Sequence, residues 1–255
     1  MELKEIIRLI DNQFTTRKLT SFKEESGVTY DALKSISTIG YAVNITPEVV
    51  KKANEEQVDL LITHHDAWGF IDGLKDSVMT LLKEYGISHY FVHLPLDDAS
   101  FGTNSSLLKK LKLEELSKHC CFDGYCCGAL GEFKEVVTFE DFKKQFEGLL
   151  DEPSLSWAFG KKMIKKVYVL CGAGGEVELL KEALELNADV YITGEKNLYT
   201  LQYAKLNNLN LIVGSHTFTE IFGVSTLLER VKKEFKTIEV IEIKEDHIET
   251  QPFKK

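Results

Sequence analysis

The sequence predicts an α/β protein whose mostly parallel sheet is covered by helices. Three observations predict it. Short apolar runs alternate with amphipathic helical stretches from one end of the chain to the other, the rhythm of parallel strands joined by crossover helices. Runs such as "VDLLIT" (58–63) are apolar almost throughout, as strands with both faces covered must be. The 255 residues are also enough for one large domain or two small ones with a proper core.

Taken in order, Leu3, Ile6, Ile7 and Ile10 recur at helical spacing and predict a first helix over 2–13. A polar stretch follows, and "SISTIGYAVNIT" (35–46) reads as a strand. In "TPEVVKKANEEQ" (46–57), Thr46 suits an N-cap, Pro47 the first helical position and Glu48 the first turn. The strand "VDLLIT" comes next, then a helix over 73–86 closed by Gly86, which suits a left-handed C-terminal cap. "ISHYFVHLPLDD" (87–98) reads as a strand running into a loop. The second half repeats the rhythm: strands at 165–172, 189–194, 209–216 and 237–243, and helices at 176–186, 197–208 and 219–235.

Residues 119–160 read as a connecting segment with a little local structure. The chain is thus expected to divide into an N-terminal lobe (1–118), a connector (119–160) and a C-terminal lobe (161–255). The N-terminal lobe could pack with the C-terminal strands as one continuous domain.

Apolar residues make up 44% and charged residues 28%, which argues against disorder. A formal charge of −9 disfavours nucleic acid or an anionic membrane as partner. No stretch approaches the roughly 20 apolar residues of a membrane span, and the N-terminus lacks the apolar core of a signal peptide. Five cysteines, an odd number, point to reduced thiols and a cytoplasmic protein.

Three predicted strand ends carry groups that bind metals. They are His64–His65, His93 with Asp97 and Asp98, and His216 with Glu220. Ligands in open α/β sheets gather at the carboxyl ends of strands. His216 and Glu220, four apart, share one face if the helix opens at 216. Two adjacent histidines face one site only where the strand breaks, and "HHDAWGF" supplies the break. A lone histidine at a strand end is more often structural. Three histidines and two or three carboxylates exceed what one tetrahedral zinc needs and suit two divalent ions with a carboxylate bridge, for which hydrolysis is the natural reaction class. Imidazole mixed with carboxylate accepts zinc, iron, manganese or nickel. A spare carboxylate such as Asp98 could accept a proton.

In these motifs the chain resembles the family known from the yeast NGG-interacting factor three, whose members are often called GTP cyclohydrolase I type-two homologues. "DLLITHH" (59–65), "HLPLD" (93–97) leading to "FGTN" (101–104), and "GSHTFTE" (214–220) stand in the family's order and spacing, and "DVYITGE" (189–195) matches as well. The resemblance implies two similar α/β lobes with mostly parallel mixed sheets, a dinuclear metal centre in the cleft between them, and a ring-shaped homohexamer. Carried over by position, it assigns His64, His65, Asp97, His216 and Glu220 as ligands. His93 is either a further ligand or a group beside the site, and Asp98 stands behind the ligands. The chain departs from the family in lacking an early "W-D-N-x-G-L", in carrying Tyr199 where many members have histidine, and in "HHDAWGF" for "HHP". The function expected is a metal-dependent hydrolase acting on a small nucleotide-like or heterocyclic substrate. The rival is a metal-binding assembly or regulatory protein without turnover.

Two further motifs have structural explanations. "CGAGGE" (171–176) follows a strand and opens a helix, as phosphate loops do, but it lacks the P-loop lysine and spacing and reads better as a tight turn. Cys120, Cys121, Cys126 and Cys127 pair without the two-residue spacer of a zinc knuckle and read as small buried thiols.

Overall fold

The computed structural model describes residues 1–14, 24–122 and 124–250. Much of the polar stretch expected after the first helix lies at 15–23, outside the described residues. The chain divides into two compact units, Met1–Phe101 with Val224–Asp246, and Gly102–Gly223 with His247–Lys255. No described helix is long and apolar enough to cross a membrane.

The first unit opens with α1 (Leu3–Asp11), β1 (Ser26–Tyr30), β2 (Thr38–Ala42), α2 (Pro47–Glu55) and β3 (Leu60–Thr63). It continues with α3 (Leu74–Tyr85), β4 (Ser88–Val92) and α4 (Leu94–Asp98). A strand from the far end of the chain, β11 (Glu239–Glu242), completes the sheet in the order β1-β4-β3-β2-β11. All pairings are parallel except that of β1 with β4. Two of the helix boundaries in this unit have local reasons. Thr46 accepts a hydrogen bond from the Val49 N–H, and Pro47 follows it; α3 ends at Gly86, whose φ of 63° is the left-handed cap. Val49, Val50 and Ala53 of α2 and Val78 and Leu82 of α3 pack with Leu61 of β3. Every residue of β3 and β4 is buried, including the polar Thr63, Ser88 and His89.

The second unit holds α5 (Thr103–Lys110), β5 (Glu114–Phe122), β6 (Tyr125–Thr138), α6 (Phe139–Leu150), β7 (Leu155–Trp157) and β8 (Met163–Leu170). After these come α7 (Val177–Glu185), β9 (Val190–Thr193), α8 (Leu198–Leu206), β10 (Asn210–Val213) and the start of α9 (His216–Glu234). Its sheet runs β5-β6-β8-β9-β10-β7. The β8–β9–β10 core is parallel and the remaining pairings are antiparallel. Both units therefore contain the same βαβαβ run, β2–α2–β3–α3–β4 in one and β8–α7–β9–α8–β10 in the other.

The structure departs from the sequence reading in four places. Residues 119–160 are part of the second sheet: they contribute β6, the end of β5, α6 and β7. Glycines interrupt the hydrophobic pattern of β6 because it has bulky neighbours. A Cβ at Gly128 would lie 2.7 Å from the Tyr168 hydroxyl, and one at Gly131 would lie 2.8 Å from Leu108. The cysteines are not all thiols: Cys121 and Cys126, direct register partners on β5 and β6, form a disulfide. Residues 94–98 are the short helix α4 instead of a loop. Finally, α9 begins at His216, three residues earlier than the apolar spacing alone suggests.

An aspartate precedes the central strand of each unit and ties down the strand beside it. Asp59 accepts from the backbone N–H groups of Ser37 and Thr38 and from the Ser37 hydroxyl. Asp189 accepts from the N–H groups of Lys165 and Lys166 and pairs with Lys161 at 2.7 Å. Burial opposes ionisation of Asp189, but Lys161 and the two N–H groups outweigh it and hold the carboxyl below its ordinary range. The stability it gives is therefore present above pH about 4 and lost as pH falls through the lowered value. Asp189→Asn is expected to cost roughly 1–3 kcal/mol at pH 7. Urea unfolding at pH 7 and pH 3 checks this, and the gap from the parent chain must narrow at the lower pH.

Candidate metal centre

The strand β3 ends where the chain needs it to. The N–H groups of His64 and His65 both donate to the Val43 carbonyl, at 3.0 and 2.9 Å, so the alternation of a regular strand is lost. Both imidazoles then lie together, with ring centroids 4.6 Å apart. The His93 ring joins them from the end of β4, at 4.9 Å from His64 and 5.2 Å from His65. One ring nitrogen from each of the three lies within 4.8 Å of the others.

The partners of these rings fix which nitrogen faces the cluster. His64 Nδ1 lies 2.9 Å from the Val92 carbonyl, which can only accept, so Nδ1 carries the proton. His65 Nδ1 lies 2.8 Å from Asn44 Oδ1, and Asn44 is oriented by donating its Nδ2 to Glu245. His93 Nδ1 lies 2.5 Å from Glu25 Oε2. The hydrogen bond from His93 holds the Glu25 carboxyl below its usual range against the opposing effect of burial. In each ring Nε2 is the nitrogen on the side away from that contact. Proton-bearing Nδ1 against an oxygen is the arrangement that sets metal-binding histidines.

The helix α4 adds the carboxylate. His93 and Asp97 are four residues apart, and the His93 carbonyl accepts the Asp97 N–H. Asp97 Oδ1 lies 3.4 Å from His64 Nε2, and Oδ2 lies 3.9 Å from His93 Nε2. Asp98, next along the same short helix, is buried as well.

The second unit presents a smaller group with the same logic. His216 and Glu220 share one turn of α9, with Nε2 3.4 Å from Oε2, and His216 Nδ1 meets Glu195 Oε1 at 2.6 Å. Glu195 ends the "DVYITGE" run at the position corresponding to His65 in "DLLITHH". Burial disfavours charge on His216, but Glu220 and Glu195 outweigh it and raise the imidazole to about 11. Two carboxylates around one ring thus demand positive charge. Gly172 leaves space for them. Its φ is +67°, and a Cβ there would fall 2.8 Å from His216 Nε2 and collide with the Glu220 carboxylate. The Gly172 and Gly174 N–H groups donate to Thr219 of α9 and Thr193 of β9, and the Gly174 N–H also reaches the Gly172 carbonyl, which supports the tight-turn reading of "CGAGGE".

His64, His65, His93 and Asp97 therefore come together in one unit, and His216 with Glu220 in the other. The remaining histidines serve structure. His89 is held by threonine hydroxyls on both nitrogens, and burial pushes it down to about 4. His119 meets Ser117, and His247 meets Glu152. Glu25, Asn44 and Glu245 orient the rings from positions that no local motif marks; Glu195 could have been found by aligning the two runs. Trp68 lies 4.6 Å from the His65 ring and 5.6 Å from Phe70, while Tyr199 is exposed on α8.

Comparison with known proteins gives the family and the fold. The family described as Duf34/NIF3 (NGG1p interacting factor 3) matches residues 1–249. A GTP cyclohydrolase 1 type 2 homolog of Pyrococcus horikoshii is 31% identical over 241 residues, 92% of this chain and 95% of that protein. The solved structure of protein ybgI, of unknown function, matches with a TM-score of 0.84 at 22% identity, covering 99% of this chain and 100% of that one. Reduced HcgD from Methanocaldococcus jannaschii matches at 0.78 and 26% identity, covering 96% and 98%.

Gly172→Ala tests the packing of the His216 group. A left-handed backbone costs a residue with a side chain about 1–2 kcal/mol, and the added methyl must displace Glu220. Losing that carboxylate lowers the His216 pKa from about 11. Thermal unfolding and NMR titration of chelator-treated protein read the two effects; an unmoved His216 titration would show that Glu220 is not displaced.

Proposed function

The chain belongs to the Duf34/NIF3 family, and from that premise we propose that it holds two divalent ions through His64, His65, Asp97, His216 and Glu220. His93 is a further ligand or a ring that steadies the others. The reaction proposed is hydrolysis of a small nucleotide-like or heterocyclic substrate. The relatives' name, GTP cyclohydrolase 1 type 2 homolog, is in line with that class of substrate.

One observation carries the proposal. Four histidines, His64, His65, His93 and His216, each have Nδ1 against an oxygen acceptor at 2.5–2.9 Å. His247 makes the same contact, to Glu152; what sets the four apart is that each ring also lies beside a further imidazole or carboxylate. Glu25 and Glu195 keep the Nδ1 proton in place and make the opposite nitrogen a better donor of its electron pair. The set of imidazole and carboxylate fits zinc, iron, manganese or nickel. A divalent pair supplies activated water near neutral pH and polarises a substrate oxygen. In this reading Asp98, the buried residue after Asp97, is the carboxylate that accepts the proton released. The family resemblance extends the proposal to a homohexameric ring, which sedimentation measures directly.

Elemental analysis of protein purified without chelator is expected to find two ions per chain. Asn44→Ala frees the His65 ring and is expected to weaken metal affinity about 10–100-fold, the usual effect of removing a partner behind a ligand. Turnover of phosphoesters, cyclic nucleotides or heterocycles with Mn²⁺, Zn²⁺ or Fe²⁺ tests the reaction. Two tightly bound ions and no turnover across that panel would favour a metal-binding assembly or regulatory role.

A further inference from the structure

The start of α9 is secured by a segment far along the chain. Glu249 accepts from the His216 N–H with Oε2 at 2.7 Å and from the Thr217 N–H with Oε1 at 3.1 Å. Glu152 is 1% exposed and accepts from the Ser215 N–H at 2.8 Å. Its other oxygen lies 2.9 Å from His247 Nδ1 and accepts from the Thr250 hydroxyl at 2.6 Å. The His247 ring stacks on Phe218, with centroids 4.0 Å apart and planes at 16°. Residues 247–250 are thus bound at three points, two of them on the first turn of α9 and one on Glu152, which itself accepts from the Ser215 N–H.

A helix N-terminus has open N–H groups and a partial positive charge, and it favours a carboxylate nearby. The first turn of α9 has no acidic residue of its own; Ser215 Oγ accepts the Phe218 N–H. Glu249 supplies the missing acceptor from 33 residues away. It grips the backbone of the residue whose ring Glu195 holds, so His216 is fixed at both ends. Glu220 lies one turn beyond.

We propose that residues 247–250 are a clasp for the His216–Glu220 pair, with Glu249 as the positioning residue. Glu249 touches neither ring nor carboxylate; it sets their place by ordering the first turn. This inference rests on the proposed role of His216 and Glu220 as metal ligands. It adds that their affinity for an ion depends on a carboxylate outside the ligand set.

Cobalt(II) binding to the full-length chain tests it, with the cobalt absorption bands as a record of ligand geometry. Glu249 is exposed, so Glu249→Ala and Glu249→Gln are expected to fold. Both are expected to bind cobalt about tenfold more weakly, the scale of a lost helix cap and its charge, with altered bands. Glu249→Asp is expected to recover part of the loss. Glu152→Gln, which disturbs the other anchor, is expected to shift the bands in the same direction. Unchanged affinity and bands in Glu249→Ala, beside a parent chain that binds cobalt, would overturn the clasp and leave the metal reading intact. A lower melting temperature with parental bands would also overturn it, because the role would then be structural alone. A parent chain that binds no cobalt would overturn the metal reading first.

Discussion

An imidazole can give one nitrogen to the protein and keep the other for a ligand, but only if something chooses which. Among the proposed metal-site histidines the choice is made four times in the same way, by an oxygen placed against Nδ1. The oxygens are of three kinds: a backbone carbonyl for His64, an amide for His65, and carboxylates for His93 and His216. What they share is that each accepts a hydrogen bond. The β3 break, the Asn44–Glu245 contact and the Glu25 and Glu195 positions all serve this condition, and the proposed chemistry depends on it.

The same unit of folding delivers the groups in both halves. A βαβαβ run ends its central strand with "THH" in one and "TGE" in the other, and its third strand with His-x-x-x-Asp or His-x-x-x-Glu at the start of a helix. Asp59 and Asp189 hold the neighbouring strand at the matching place in each run. The two halves have diverged in what the central strand supplies. One gives two imidazoles; the other gives Gly194, where a Cβ would lie 2.6 Å from the His216 Cα, and Glu195, which orients the His216 ring. A buried parallel strand tolerates little at its interior positions, so variation collects at its end, where the chain turns and side chains meet solvent or a ligand.

Much of this was legible in residues taken alone. Helix starts at Thr46–Pro47 and stops at Gly86 are local events, set by hydrogen bonds within a few residues. Largely apolar runs mark β3, β9 and β10, whose residues are all buried. By contrast, β6 was hidden: Gly128 and Gly131 serve Tyr168 and Leu108, which lie elsewhere in the chain. Counting cysteines could not reveal the Cys121–Cys126 disulfide, which follows from hairpin register.

The sequence by itself determined the fold class, the order of the central elements and the residue types offered as ligands, because periodicity, capping and strand ends are short-range properties. Tertiary structure alone decided how those ligands are aimed. Asn44 reaches His65 across 21 residues, Glu25 reaches His93 across 68, and Glu249 reaches the His216 backbone across 33. A single carboxylate has no local signature. Its meaning comes from the atom it meets, and that meeting exists only once the chain has folded.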